Sequence, residues 1–285
     1  MLGCTRTVEK PSPTVSKRPE PPTPTPVATW VYQLQSIDLG KIAQSPGALV
    51  VIDPSRNGDG DSAGFWDREE IEKLRGSGKL VLAYLSIGEA ENYRDYWKEE
   101  WDGNPPEFLG GPNPDWPDNF PVKYWNKEWQ EVMLARVDRI KKAGFDGVFL
   151  DKVDAFEDWE ELGQSVELKK EMAKFISQIK VRGNFQVYLQ NGWAVWQEPE
   201  LAESVDGVAI EEFSLGWEGA DGAATPTEIK KEMQQALETA NQQGWALLVV
   251  DYPSPDSPPS VKESALEEAR RVGAVPLLAP RDLDG

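Results

Sequence analysis

The sequence predicts an α/β fold, a (β/α)8 TIM barrel that follows a Pro/Thr/Ser-rich linker. Three observations predict it: eight short apolar runs follow residue 30, most of them lead into an amphipathic stretch, and they recur at the interval of βα units. The competing fold is a doubly wound open sheet, but no glycine-rich phosphate loop follows the first run. In a barrel, the functional site is expected at the carboxyl ends of the strands.

Residues 1–29 differ from the rest of the chain because Pro, Thr and Ser dominate them. Such a segment cannot bury enough apolar surface to offset its ordering entropy, so we interpret it as a disordered linker. Residues 30–285 form the predicted barrel. The start Leu2-Gly3-Cys4 is similar to the end of a bacterial lipoprotein signal, which makes Cys4 a candidate lipid anchor. The apolar stretch that should precede it is missing, so the alternative is an incidental cysteine.

Eight apolar runs have the length of buried strands and are bounded by turn residues. They are Trp30–Gln35, Ala48–Asp53, Leu80–Ser86, Gly147–Asp151, Gln186–Gln190, Gly207–Glu211, Ala246–Asp251 and Ala274–Ala279. Six amphipathic stretches predict helices, at Leu39–Gln44, Asp67–Arg75, Lys127–Lys142, Glu167–Lys180, Thr227–Gln242 and Ser260–Val272. No eighth helix fits after Ala279. Five of the helices are expected to end at a left-handed glycine, at Gly76, Gly144, Gly183, Gly244 and Gly273.

The composition excludes several classes of function. Acidic residues outnumber basic ones 49 to 30, and the net charge of −19 repels phosphate backbones, so no nucleic-acid partner is expected. No run approaches the roughly 18 apolar residues of a membrane-spanning helix. Because the chain has no histidine and one cysteine, it cannot use Ser-His-Asp hydrolysis, a histidine zinc site or a thiolate cluster. We therefore expect carboxylates to carry the chemistry, without a metal or cofactor.

Carboxylates stand at the ends of four predicted strands and beyond a fifth. They are Asp53 (second strand), Asp151 (fourth), Glu211 (sixth) and Asp251 (seventh), with Glu89 and Glu91 beyond the third. Any one of them could begin a loop or cap a helix. So many acids on one rim would repel one another, and that cost is tolerated mainly where a cation, a cationic ligand or catalysis uses them.

Two carboxylates across a barrel mouth suit glycoside hydrolysis, in which one is the general acid and the other the nucleophile or base. Asp151 and Glu211 are the predicted pair, because their strands are next-but-one neighbours whose ends could face each other across a sugar. Glu212 is the competing acid, since adjacent strand residues point to opposite faces and the inward one is not evident. The strand ends also supply candidate substrate-binding residues: Tyr84, Ser86, Lys152, Asp154, Asn191, Trp193 and Tyr252.

Five of the twelve tryptophans lie in or beside the long segment 90–126 after the third predicted strand. They are Trp97, Trp101, Trp116, Trp125 and Trp129. Indole faces bind the apolar faces of sugars, but the rings could also fold this segment into a satellite core. We expect about two of them to contact ligand and the others to be structural.

One acidic segment, Asn57–Asp61, is similar to a calcium-binding loop. Such a loop has glycine at its sixth position and glutamate at its twelfth. Counted from Asn57, these positions are Ser62 and Arg68. We interpret the segment as an acidic turn and predict no metal site.

Three blocks of the sequence together resemble the signature blocks of glycoside hydrolase family 114. They are Tyr84–Glu91 with Tyr93, Arg94 and Trp97 behind it, Gly144–Asp151 with Asp154, and Gly207–Glu212. The closing Pro280–Asp284 also looks like a family ending, and the resemblance covers residues 30–285. It implies a (β/α)8 fold, secretion and the family's type activity, endo-α-1,4-polygalactosaminidase.

The resemblance implies roles for five residues. Asp151 falls on the nucleophile and Glu211 on the acid/base, while Asp53, Tyr84 and Glu89 fall on positions that line the site. A partly deacetylated galactosamine polymer is a polycation, and the predicted barrel, with a charge of −21, would attract it.

We therefore predict a monomeric, secreted or surface-tethered glycosidase that cuts α-1,4-linked galactosamine or N-acetylgalactosamine polymers with retention. Two alternatives stay open at the level of the sequence. One is a barrel that binds sugars without catalysis, and the other is a glycosidase for a neutral α-linked saccharide.

Overall fold

In the computed structural model the described residues are 29–56, 64–162 and 165–285. The predicted linker up to residue 28, with Cys4, and the acidic turn Asn57–Asp61 lie outside them, so both interpretations stay predictions.

Eight parallel strands form one sheet in the order of the chain. They are β1 (Trp30–Gln33), β2 (Leu49–Ile52), β3 (Leu80–Ser86), β6 (Gly147–Asp151), β7 (Gln186–Gln190), β8 (Gly207–Glu211), β9 (Ala246–Asp251) and β10 (Val275–Leu278). An antiparallel pair, β4 (Glu89–Glu91) and β5 (Asn119–Pro121), lies in the connection after β3. Because β1 lies beside β10, the sheet is a nearly closed barrel, and the predicted fold class is confirmed.

Helices cover the outside of the barrel. They are α1 (Leu39–Gln44), α2 (Arg68–Gly76), α3 (Lys127–Ala143), α4 (Ser165–Gly183), α5 (Thr227–Gln242) and α6 (Pro259–Arg271). Asp67 begins α2 with a capping box, in which its side chain accepts the Glu70 N–H and the Glu70 side chain accepts the Asp67 N–H. The connection 191–206 between β7 and β8 contains a 3-10 turn at Pro199–Leu201 in place of an α-helix.

For two of the five helices, the predicted left-handed glycine at the C-terminus is wrong. Gly144 adopts the left-handed conformation after α3, with φ 91°, as predicted. Gly76 and Gly183 are instead the last residues of their helices, and the left-handed residues that follow are Gly78 and Asn184. Asparagine tolerates this conformation better than most side chains, so a helix can end there without glycine.

Alternate residues of each barrel strand point to the interior. Large side chains fill this inner layer, including a group in which the rings of Trp30 and Tyr32 stack at 5.7 Å and those of Tyr32 and Phe149 lie 5.3 Å apart. The intervening residues pack outward against the helices in a second, larger core. Both faces of the strands are therefore apolar, as expected for a parallel sheet buried on both sides.

The chain end closes the gap between the first and last strands. The carbonyl oxygen of Leu283 accepts hydrogen bonds from the N–H groups of Leu34 (2.9 Å) and Gln35 (3.2 Å). The side-chain amide of Gln33 donates to the carbonyl of Asp284 at 2.9 Å. Among the described residues, no helix is both long enough and apolar enough to cross a membrane.

Candidate active site

A cavity of about 1250 Å³ opens at the carboxyl ends of the barrel strands. The volume exceeds the roughly 300–1,000 Å³ that is typical of a site for one small molecule. Among the residues that the structure describes, ten acidic and four basic side chains line it, so this lining is acidic. A site of this size and charge suits an extended ligand that carries positive charge.

The period of the strands explains why Asp151 and Glu211 point into this cavity. In β6, Asp151 follows Phe149 by two residues, and Phe149 belongs to the interior layer. In β8, Glu211 likewise follows the interior residue Ala209. Because side chains two apart in a strand share a face, both carboxylates lie above the barrel core and line the cavity.

Asp151 is half-buried and has two hydrogen-bond donors. The hydroxyl of Tyr84 donates to Oδ2 at 2.5 Å, and the backbone N–H of Lys152 donates to Oδ1 at 2.7 Å. Burial raises the pKa of Asp151 to about 6, and the hydrogen bond from Tyr84 partly opposes that rise. The group is therefore ionised above about pH 6.

Glu211 is held by three side chains from two neighbouring strand ends. Tyr252 donates to Oε1, and Gln190 and Asn191 donate to Oε2, the last at 3.0 Å. Gln190 is itself oriented by the hydroxyl of Tyr32, which donates to its Oε1 at 2.7 Å. Burial raises the pKa of Glu211, and the negative charge of Asp151 raises it further. The hydrogen bonds from Tyr252, Gln190 and Asn191 act in the opposite direction and lower the pKa of Glu211.

Glu212 also lines the cavity but belongs to its rim. Its Oε1 accepts a hydrogen bond from Nη1 of Arg281 at 2.7 Å. Arg281 also donates to Asp221 and to the carbonyl of Gly216, and its guanidinium lies 4.4 Å from the ring centroid of Tyr252. The carboxylate that the sequence left as a competitor is therefore in an ion pair at the edge of the site.

Three consecutive barrel strands end in a left-handed residue. Lys152, Asn191 and Glu212 follow β6, β7 and β8 directly and have φ values of 56°, 54° and 57°. A residue other than glycine in this conformation costs of order 1–3 kcal/mol and persists where the surroundings hold it. The strain is concentrated at the ends of the strands that carry Asp151, Gln190 and Glu211, which is where a functional site would store it.

Asp53 is part of a buried ion network in the cavity wall. Arg94, which is 5% exposed, binds both oxygens of Asp53, at 3.1 and 2.8 Å, and both oxygens of Glu91, at 3.2 and 2.9 Å. Burial raises the pKa of Asp53 in spite of this ion pair. One guanidinium is thus shared by two buried carboxylates of the cavity wall.

Glu89 and Asp154 complete the acidic lining on the β6 side. The carboxylate of Glu89 accepts hydrogen bonds from Asn113 (2.8 Å) and Asn119 (3.3 Å), and it lies 3.4 Å from Nζ of Lys152. Burial raises the pKa of Asp154 to about 6, while Lys152 acts in the opposite direction. Lys152 is therefore the cation that the carboxylates beside Asp151 share.

Three predicted site residues do not line the cavity. Asp251 follows the interior residue Val250 by one position, so it points outward and accepts the N–H groups of Ser214 and Leu215 at 2.6 and 2.9 Å. Ser86 is buried and donates to the carbonyl of Glu89. Trp193 packs against the outer core. These residues shape the strand ends and do not face a ligand.

Four of the five tryptophans in or beside segment 90–126 are packed in a core, and one lines the cavity. Trp97, Trp101, Trp125 and Trp129 pack against other aromatic rings in a satellite core. Of the five, Trp116 alone lines the cavity. One ring is available to a ligand, where the sequence led us to expect about two.

Several lining residues were not among those predicted from the strand ends, chiefly Tyr32, Gln190, Arg94 and Arg281. Tyr32 and Gln190 each lie two residues after an interior residue of the same strand, so they share its inward face. This spacing could have identified them. Arg94 follows the Tyr84–Glu91 block of the family resemblance, but its contact with Asp53 spans 41 residues and depends on how the loop folds. Arg281 reaches Glu212 across 69 residues.

The model of glycoside hydrolase family GH114 matches residues 11–285 of this chain. The chain belongs to this family. The match begins inside the predicted linker and covers the whole barrel, so the family resemblance of the three sequence blocks is confirmed.

Two relatives are described as uncharacterized proteins. One from Methanocaldococcus jannaschii is 42% identical over 234 residues, which are 78% of this chain and 66% of that protein, slightly less than two thirds of its length. One from Thermotoga maritima is 34% identical over 278 residues, covering 91% of this chain and 82% of the relative.

Solved glycoside hydrolases share the fold. The glycoside hydrolase domain of PelA from Pseudomonas aeruginosa has a TM-score of 0.70 at 22% identity, covering 91% of this chain and 97% of the domain. Aspergillus fumigatus Ega3, solved in complex with galactosamine, has a TM-score of 0.69 at 19% identity, covering 95% of this chain and 96% of that one. At these identities the likeness shows the barrel fold.

Proposed function

We propose that this protein hydrolyses α-1,4-linked galactosamine and N-acetylgalactosamine polymers, with Asp151 as nucleophile and Glu211 as acid/base. The observation that carries the proposal is the pair of inward carboxylates at the ends of β6 and β8, in one acidic cavity of a GH114 barrel. Burial and then the charge of Asp151 raise the pKa of Glu211, which is the direction that a general acid needs.

The proposed reaction has two steps and retains the anomeric configuration. In the first, the ionised Asp151 attacks the anomeric carbon, the glycosidic C–O bond breaks, and Glu211 gives its proton to the leaving oxygen. In the second, the Glu211 carboxylate takes a proton from water, whose oxygen attacks the anomeric carbon and releases Asp151. Asp151 must start ionised and Glu211 protonated, and the raised pKa of Glu211 supports its role as the acid.

The hydrogen-bond donors around the pair fit these roles. Tyr84 and the Lys152 N–H stabilise the charge on Asp151 and fix its orientation. Tyr252 and Asn191 orient the Glu211 carboxyl, and their hydrogen bonds stabilise the ionised form that acts as base in the second step. The pKa of Tyr84 is raised well above its ordinary value, first by burial, which keeps its hydroxyl a donor.

The charge of the site supports a galactosamine polymer over a neutral one. An amino sugar without its acetyl group is cationic near neutral pH, and the ten acidic side chains of the cavity would attract it. The chain as a whole carries −19. Ega3, a protein of the same fold, was crystallised with galactosamine, which is the sugar that this proposal assigns.

We also propose an extracellular or cell-surface location and a monomeric state, as predicted from the sequence. The Pro/Thr-rich stretch after Cys4 has the composition of a tether, and a lipid on Cys4 would provide its anchor.

The direct test is incubation with α-1,4-linked galactosamine oligomers, fully acetylated, partly acetylated and unacetylated, followed by mass analysis of the products. The proposal expects shorter oligomers from the wild type and far less of them, in the same time, from Asp151→Asn or Glu211→Gln. Binding of the oligomers without any release of new reducing ends would assign the barrel to sugar binding alone. Cleavage of neutral α-galactosides in preference to galactosamine oligomers would reject the substrate.

A further inference from the structure

We propose that Trp116 and Asp115 form an outer subsite that binds a further galactosamine unit of the polymer, away from the bond that is cleaved. This inference rests on the proposed function and assigns part of its substrate recognition. Trp116 would stack on the apolar face of the sugar, and Asp115 would pair with its ammonium group.

The exposure of Trp116 is unlike that of the other tryptophans in its segment. Its side chain is 63% exposed, the highest value among the large aromatic residues of the described chain. Trp97 and Trp101 contact each other at 5.2 Å, and Trp125 contacts Tyr124 at 5.0 Å, whereas within residues 29–56, 64–162 and 165–285 no aromatic ring contacts Trp116. An indole that is mostly exposed at the wall of a cavity is available to a ligand.

The turn that carries Trp116 is held in place without the indole. The N–H of Asn113 donates to the carbonyl of Asn119 at 2.7 Å, and the N–H of Asn119 donates to the carbonyl of Trp116 at 2.8 Å. The N–H of Asp115 donates to the side chain of Asn113 at 3.0 Å. Prolines at positions 112, 114 and 117 further restrict this backbone. A turn fixed in this way loses little backbone entropy when a ligand binds to it.

The turn is connected to the catalytic pair through Glu89. Asn113 and Asn119 donate their side-chain amides to Glu89, and Glu89 lies 3.4 Å from Nζ of Lys152, the residue after Asp151. Trp116 and Asp115 therefore lie on the Asp151 side of the same cavity, beyond Glu89. Since the cavity is larger than a typical single-ligand site, a chain held at Asp151 has room to reach them.

The chemistry of the two side chains fits an amino sugar. An indole face takes up the C–H face of a pyranose, and Tyr and Trp are common anchors of binding sites. Asp115 is exposed and lines the cavity, so its carboxylate is in reach of a ligand on that wall. Stacking alone would not distinguish an acetylated from a deacetylated unit, whereas the carboxylate would favour the ammonium form.

The test measures kcat and KM for a series of galactosamine oligomers of increasing length. For Trp116→Ala we expect the ratio of kcat/KM for the longest oligomer to that for the shortest to fall about tenfold, through KM rather than kcat. Trp116→Phe should restore most of the ratio because it keeps an aromatic face. An unchanged ratio in Trp116→Ala would overturn the subsite.

Asp115 is tested against Asp118, which lies in the same turn, does not line the cavity and accepts a hydrogen bond from Asn92. Asp115→Asn should reduce the preference for unacetylated over acetylated oligomers severalfold, while Asp118→Asn, which removes the same charge, should not. Equal effects of the two variants would mean that the general field of the protein, and not a contact, sets the preference.

The failure of this inference is distinguishable from failure of the proposed function. If wild-type protein cleaves no galactosamine oligomer, the proposed function is rejected. The subsite is then judged by calorimetric titration of a galactosamine hexamer into wild type and Trp116→Ala. Weaker binding by the variant supports the subsite, and equal binding or none overturns it.

Discussion

Glu211 and Glu212 are consecutive in the chain, yet their carboxylates belong to two separate groups. Glu211 accepts hydrogen bonds inside the barrel from Tyr252, Gln190 and Asn191, whereas Glu212 is paired with Arg281 at the rim. The left-handed backbone at Glu212, with φ 57°, turns the chain away immediately after the inward residue.

This separation predicts different effects of two matched substitutions. Glu211→Gln removes the proposed acid/base, so kcat on galactosamine oligomers should fall by roughly 10²–10⁴. Glu212→Gln removes a partner of Arg281, and we expect less than about a tenfold loss of kcat with a small decrease in Tm. Steady-state kinetics and thermal unfolding of both variants provide the measurement. A nearly inactive Glu212→Gln beside an active Glu211→Gln would move the role to Glu212.

Tyr84→Phe removes the hydrogen bond that opposes the raised pKa of Asp151. The pKa of Asp151 should then rise, so the acidic limb of the profile of kcat/KM against pH should move to higher pH by up to about one unit. The matched control is Tyr188→Phe, a hydroxyl lost from the interior layer two residues before Gln190. If the acidic limb of both variants lies at the same pH as that of the wild type, Tyr84 does not act through Asp151.

Asp151→Asn should raise thermal stability at pH 8. Burial raises the pKa of Asp151 from 3.8 to about 6, so the folded state binds this proton more tightly than the unfolded state. The stability that the group contributes is present below about pH 3.8 and is lost as the pH rises through about 6. Replacing the acid with a neutral amide should thus gain about 1–2 kcal/mol at pH 8, and less at pH 5.

The control for this measurement is Asp138→Asn. The hydrogen bond with Arg182 lowers the pKa of Asp138, so the ionised Asp138 stabilises the folded state at pH 8. Its replacement by Asn should therefore leave Tm at pH 8 level or lower it. A gain for Asp151→Asn that is equally large at pH 5 and pH 8 would show that charge burial is not its cause.

Ionic strength should affect cationic and neutral substrates differently. The Debye length falls from about 10 Å at 0.1 M salt to about 3 Å at 1 M, which screens the field of a chain with a charge of −19. We expect kcat/KM for unacetylated oligomers to fall severalfold over this range and that for fully acetylated oligomers to change little. Equal salt dependence would argue against electrostatic attraction of the substrate.

The strand ends could be predicted from the sequence, and the faces of the strands could not. The runs that end at Asp151 and Glu211 were located to the residue, because turn residues bound them. Their residues are apolar on both faces, so no alternation indicates which neighbour points inward. For this reason the sequence does not distinguish Glu212 from Glu211, and it predicts Asp251 in the site beside Tyr252 although Asp251 points outward.

Contacts between distant segments account for the rest of the site. Nothing in Pro280–Asp284 indicates that Arg281 packs on Tyr252 and binds Glu212. The tryptophans after β3 look alike in the sequence, and only the folded turn distinguishes Trp116 from the four that pack together. Whether a tryptophan of this segment is buried or exposed depends on how the long connection folds on the barrel. Local sequence patterns do not determine this.

Rescue by azide tests the roles of Asp151 and Glu211 most directly. The substrate is a galactosamine oligomer with an aryl leaving group, and the anomer of the glycosyl azide is read by NMR. If Asp151 is the nucleophile, Asp151→Gly with azide should give the β-azide, because azide attacks in its place. If Glu211 is the acid/base, Glu211→Ala should give the α-azide by attack on the glycosyl-enzyme. Exchanged anomers, or no azide product from either variant, would contradict the assignment.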